Sequence, residues 1–168
     1  MQDEIVNKVA QSKLITFNLE DYYPKGDRMV LDIKDWLFEG FILKEKEFRA
    51  FVEEHDWSQY EGAYVAMHCS TDAIVPGWAY ILLSVKLSGI AKKIIQGSLV
   101  DLETSIYQSI IEHLDISEYQ DKLIIIKGCS KKPVPANAYL FLAERLKPAA
   151  RSIMYGEACS SVPLYKRK

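Results

Sequence analysis

Histidine and cysteine are scarce in this 168-residue chain, with three of each, and no apolar run approaches the ~18 residues that a membrane helix needs. Three cysteines, Cys69, Cys129 and Cys159, are an odd number at wide spacing, which excludes a disulfide framework. There is no Cys-x-x-Cys pair, no Gly-x-Gly-x-x-Gly turn and no Walker loop, so no standard metal or nucleotide motif is present. Excess basic charge is missing too. The formal net charge is −2 with both signs interspersed, so the field that nucleic-acid binding requires is absent. The short basic end Lys166-Arg167-Lys168 reads as solvated. Met1-Gln2-Asp3-Glu4 is acidic where a secretory leader is basic, and the expected setting is cytoplasmic, without membrane or nucleic acid as partner.

What is present is an ordinary globular composition, 49% apolar and 26% charged, of the size of one domain, expected over residues 1–168. The strongest signal is internal. Shifting the chain by 59 residues aligns 41–97 with 100–156 without a gap and gives 14 identities, where chance gives roughly three or four. Val75/Val134, Pro76/Pro135, Tyr80/Tyr139, Leu83/Leu142 and Gly97/Gly156 are among them. Each copy reads helix, strand, helix, strand. Phe48, Phe51, Val52 and His55 recur at helical spacing in one copy, and Leu102, Ile106 and Ile110 in the other, with Ser98 as N-cap. Tyr64-Val65-Ala66-Met67 and Leu123-Ile124-Ile125-Ile126 are apolar without alternation, as strands covered on both faces are. Val-Pro then opens a second helix in each copy, since proline is tolerated in a first turn.

The expected fold is therefore α/β: a three-layer, mostly parallel sheet built from a tandem α-β-α-β duplication. Related β-α-β halves commonly meet through their first strands, giving core order 2-1-3-4 for the strands near 64, 93, 123 and 152. Residues 1–40 form a lead-in with two β-like runs about Pro24-Lys25-Gly26-Asp27, which predicts a hairpin-like addition. Residues 157–168 are a tail. Aromatic-rich elements at 20–40 are expected either to form a homodimer surface or to cover the sheet edge.

Chemistry concentrates at the cysteines, each followed by serine. Cys69 and Cys129 leave the carboxyl ends of the two central strands, and Cys159 follows the last strand. The leading reading is a shared metal site of Cys69, Cys129 and Cys159 with His68 as fourth ligand, holding zinc or an iron–sulfur cluster, because thiolate and imidazole suit those metals. The alternative is a non-catalytic small-ligand, anion-binding or scaffold domain with structural cysteines, in which Ser70, Thr71, Ser130 and the amides of helix N-termini form the site. A second alternative is a thiol-dependent enzyme, with His68 and Cys129 as the better-placed pair.

The stretches "FNLEDYYPKGDRMVLDIKDWLFEGFILKEKEFR", "HDWSQYEGAYVAMHCSTDAIVPGWAY", "IIIKGCSKKPVPANAY" and "MYGEACSSVPLYKRK" resemble an uncharacterised bacterial family, domain of unknown function number 2480. The resemblance covers nearly the whole chain from about residue 14. It carries no catalytic residues, but it implies a place near iron–sulfur cluster assembly, with assembly proteins as partners, and favours the thiol-ligand reading.

Overall fold

A computed structural model of the protein describes residues 14–128, 130–157 and 159–168. It is a mixed α/β structure with two sheets. The strands are β1 (Leu14–Phe17), β2 (Arg28–Asp32), β3 (Tyr64–His68), β4 (Lys93–Gln96), β5 (Leu123–Ile126), β6 (Ser152–Glu157) and β7 (Ser160–Lys166). Four helices are described: α1 (Glu45–Glu54), α2 (Gly77–Leu87), α3 (Leu99–Glu112) and α4 (Ala136–Leu146). None is long and apolar enough to cross a membrane.

The chain divides into two compact units, one of residues 24–106 and a terminal unit made of the chain up to 23 and from 107 onward. In the 24–106 unit, β2, β3 and β4 form a parallel sheet in that order, with Met29 opposite Val65 and Val65 opposite Ile94. In the terminal unit the order is β1-β5-β6-β7. There Ile15 lies opposite Ile124, Ile124 opposite Ile153, and β7 returns antiparallel along β6.

Two expectations are corrected here. The order 2-1-3-4 requires β3 beside β5, but they belong to different sheets, with β3 flanked by β2 and β5 by β1. The lead-in is not a hairpin either: β1 and β2 part, and each pairs in parallel with the first strand of one copy. The physical reason is the same for both. A β-α-β half occupies only one edge of its first strand. The other edge exposes unpaired N–H and C=O groups that an extended lead-in segment satisfies without long-range rearrangement. The 157–168 tail also differs, because Ser160–Lys166 is a strand. Its Pro163 hid the pattern, yet proline is tolerated on an edge strand, and β7 is the edge.

The continuous apolar runs are buried as their composition predicts. Val65, Ala66 and Met67 are buried in succession, as are Ile124, Ile125 and Ile126. In the 24–106 unit, Val65 and Met67 share one core with Phe48 and Val52 of α1 and Ala79, Leu83 and Leu87 of α2. Arg28, which alternates with Met29 along β2 and so faces the other way, meets Glu103 of α3, Nε to Oε1 2.7 Å. In the terminal unit, Ile124, Ile126 and Ile153 pack with Tyr107 and Ile111 of α3 and Ala138, Leu142 and Leu146 of α4.

Local turns follow from their residues. Ser98 caps α3 as expected: its Oγ accepts from the Asp101 amide at 3.2 Å, while Asp101 Oδ2 accepts from the Ser98 amide at 2.8 Å. Asp56 and Asp115 each open a short 3-10 turn by accepting the amide two residues on, from Ser58 at 3.0 Å and Ser117 at 2.9 Å. Those turns seat Tyr60 and Tyr119, both buried, in the two cores. His55 ends α1 among aromatic rings: Trp36 and Trp57 lie 5.0 and 4.8 Å from it by ring centroids, and its Nε2 is 3.2 Å from the Tyr60 hydroxyl.

Candidate functional site

The carboxyl ends of the parallel strands carry most of the singled-out residues. In the 24–106 unit, Asp32 ends β2 directly opposite His68, which ends β3. Asp32 Oδ1 accepts the amides of Lys34 and Ser70, both at 3.1 Å, and Oδ2 lies 3.9 Å from His68 Nε2. Burial works to raise the Asp32 carboxyl. Hydrogen bonds from the Ser70 hydroxyl and amide and from the Lys34 amide, with His68 nearby, outweigh it and hold the pKa below the ordinary value. Cys69 Sγ is 3.2 Å from Thr71 Oγ1, and that hydroxyl donates to the Gly40 carbonyl at 2.6 Å. With its proton committed to Gly40, the Thr71 oxygen can only accept, so the Cys69 S–H is the donor.

The terminal unit repeats the device with different residues. Glu20, in the 3-10 turn after β1, accepts the amides of Lys131 and Lys132, the latter at 2.8 Å, while Ser130 Oγ donates to the Lys132 carbonyl at 2.7 Å. Desolvation opposes the charge on Glu20, but these amides, the Ser130 hydroxyl and Lys127 together lower its pKa. Backbone amides after β3 and β5 are the donors an anion site would use. In both units the chain fills them with its own carboxylate. Ser70, Thr71 and Ser130 are thus placed at the strand ends as expected, with donors already engaged. Asp32 and Glu20 were not singled out in the sequence, and an acidic residue closing each lead-in run was the available signal.

A pH dependence follows from the lowered carboxyls. The Asp32 contribution is full above its ordinary value of 3.8 and lost as pH falls through the lower folded value. Asp32→Asn should cost about 1–2 kcal/mol at neutral pH, since hydrogen bonds to a partly exposed charged acceptor are of that order. Urea titrations at pH 7 and below pH 3 check it, with variant and parent expected to converge at the acid end.

Cys69 and Cys159 belong to different units. Cys69 is half-buried in the 24–106 unit, and Cys159 is exposed in the turn that joins β6 to β7. Cys129 lies outside the described residues. Among the described residues no group of three or more His, Cys, Asp and Glu side chains is placed to hold a metal ion. His113, at the end of α3, has Nδ1 2.8 Å from the Ser109 carbonyl, a helix-terminal role.

The terminal unit also carries an open cavity of about 640 Å³ at the carboxyl ends of β5 and β6. Ile126 and Gly128 form its floor, the first turns of α4 one wall with Tyr139 and Leu140, and Tyr155 and Leu164 of β6 and β7 the other. Tyr139 and Tyr155 meet edge to face at 5.8 Å. A Cβ at Gly128 would come within 2.9 Å of the Tyr155 ring, so glycine lets that ring lie close over the backbone. Lys132 lines the rim, with its Nζ 5.1 Å above the ring of Tyr23. The cavity offers apolar and aromatic walls and one cation.

The family described as protein of unknown function (DUF2480) matches residues 3–167, nearly the whole chain. The chain belongs to this family. DUF2480 carries no assigned activity, so the chemistry rests on the residues above. Neither the curated proteins nor the solved structures contain a match.

Proposed function

We propose that this DUF2480 protein is a small-ligand-binding domain, and that its site is the cavity at the carboxyl ends of β5 and β6. The observation that carries the reading is the cavity itself. Its volume lies in the range of small-molecule sites, and it sits outside the carboxyl ends of parallel strands, where open α/β sheets take ligands. Its walls suit an aromatic or apolar molecule bearing one anionic group, the ring between Tyr139, Leu140 and Leu164 and the anion at Lys132. The amides of Lys131 and Lys132 remain with Glu20, so the Lys132 ammonium is the anion's partner.

Anilinonaphthalene sulfonate, an aromatic sulfonate, is a direct probe. Saturable binding near one equivalent is expected, weakened at least about tenfold by Leu140→Glu or Lys132→Glu, a loss of roughly 1.4 kcal/mol. Leu140 is 66% exposed, so its replacement leaves the core intact. Binding unchanged by both substitutions would sink the proposal.

The same reading takes residues 41–97 and 100–156 as copies of one α-β-α-β unit. Equal offsets support it: Val65 pairs with Ile94 as Ile124 pairs with Ile153, and Asp56 and Asp115 open like turns. A second reading keeps the thiols as zinc or iron–sulfur ligands in a cytoplasmic protein that serves cluster assembly. Its support is the exposed Cys159 in the β6–β7 turn, on the hairpin whose Tyr155 packs against Gly128, the chain neighbour of Cys129. Metal content of anaerobically purified protein, with and without Cys159→Ser, decides it.

A further inference from the structure

A second cavity, about 430 Å³, lies in the terminal unit between α3 and α4, on residues that do not line the first one. Its polar lining is Gln108 and Glu112 from α3 and Glu144 and Arg145 from α4; Ile111 and Phe141 supply the apolar part. Glu112 and Arg145 align, at the 59-residue shift, with Glu53 and Lys86. Those two earlier residues join α1 to α2 by an ion pair of 2.9 Å. Glu112 and Arg145 do not close the same pair. Instead Arg145 Nη2 donates to the Leu114 carbonyl at 2.9 Å, and Glu112 Oε1 accepts from Gln108 Nε2 at the same distance. Arg145 Nε is buried and has no hydrogen-bond partner among the described residues.

A buried guanidinium N–H without an acceptor is costly, and most such groups are satisfied. Glu112 and Arg145 leave an acid and a cation on the cavity wall that are not spent on each other. The lining itself, one cation with two carboxylates and an apolar pair, matches one class of ligand. We infer that this cavity binds a small zwitterion, an α-amino acid with an apolar side chain. Its carboxylate accepts from the Arg145 guanidinium where that group lines the cavity. Its ammonium lies between Glu112 and Glu144, and its side chain rests on Ile111 and Phe141. Two carboxylates beside the single arginine make a simple anion a poor occupant, since like charge opposes it.

Calorimetry with L-leucine on the intact protein tests this, with isovalerate and isoamylamine as the analogues that each keep one charge. Binding with a dissociation constant of about 1 mM or tighter is expected, weaker by at least about tenfold for either analogue. Arg145→Gln should abolish it. Because that variant disturbs a partly buried side chain, the double variant Glu112→Gln/Glu144→Gln, at two exposed positions, serves as the second test and should weaken leucine binding to a similar degree. Leu140→Glu should leave it unchanged, which separates this site from the one proposed above. No heat of binding up to about 20 mM leucine, equal affinity for isovalerate, or indifference to the glutamate double variant would overturn the inference.

Discussion

Replacing Arg28 with alanine should lower the unfolding free energy by about 3–5 kcal/mol, the usual cost of removing one partner of a buried ion pair. Arg28 and Glu103 have side chains only 12% and 7% exposed, and their nitrogen and oxygen stand 2.7 Å apart. The guanidinium also donates to the carbonyls of Pro24 and Gly26 at 2.8 and 2.6 Å, and it lies 4.8 Å above the Tyr64 ring. One side chain thus fixes the turn before β2, the strand itself and the first half of α3. Truncation leaves the Glu103 carboxylate buried without its Arg28 partner. Glu103→Gln in the Arg28→Ala background should recover part of the loss, because the stranded charge is removed. Urea unfolding of the three variants measures both effects. A loss under about 1 kcal/mol for Arg28→Ala would mean that Glu103 reaches water in the folded state.

Leu142→Ala is expected to cost about 2–5 kcal/mol. The residue is wholly buried on α4 and shares its core with Ile124, Ile126 and Ile153. Removing it deletes apolar contact with β5 and opens a cavity that these β-branched neighbours, stiff at χ1, fill poorly. Leu142→Met, which conserves volume, should cost less than about 1.5 kcal/mol. Thermal and urea unfolding give the comparison, and equal losses for the two variants would show that shape at this position does not matter.

The elements were legible in the sequence; their partners were not. Continuous apolarity at 64–67 and 123–126 marked the strands, and Val-Pro marked the helices, since these signals act within a few residues. Which strand lies beside which is a non-local matter. The alternation in 14–19 and 28–33 suits any open edge, so nothing in it distinguishes a hairpin from two separate parallel pairings. At the site, Ser70, Thr71 and Ser130 were visible as polar residues after a strand. Their partners, Asp32, Gly40 and Glu20, lie 31 to 110 residues away in sequence, beyond any local pattern. The shift of 59 residues aligns Glu112 and Arg145 with Glu53 and Lys86, the acid and cation that pair in the other copy.

The aromatic cluster around His55 has a spectroscopic corollary. All three tryptophans, Trp36, Trp57 and Trp78, fall within residues 24–106, and the terminal unit has only tyrosine and phenylalanine. Indole emission therefore watches one half of the chain, and an unfolding curve followed by it is blind to events confined to the other. Tyrosine absorbance and circular dichroism sample both halves. Disagreement between the probes would reveal whether the two cores melt together, with no label and no substitution.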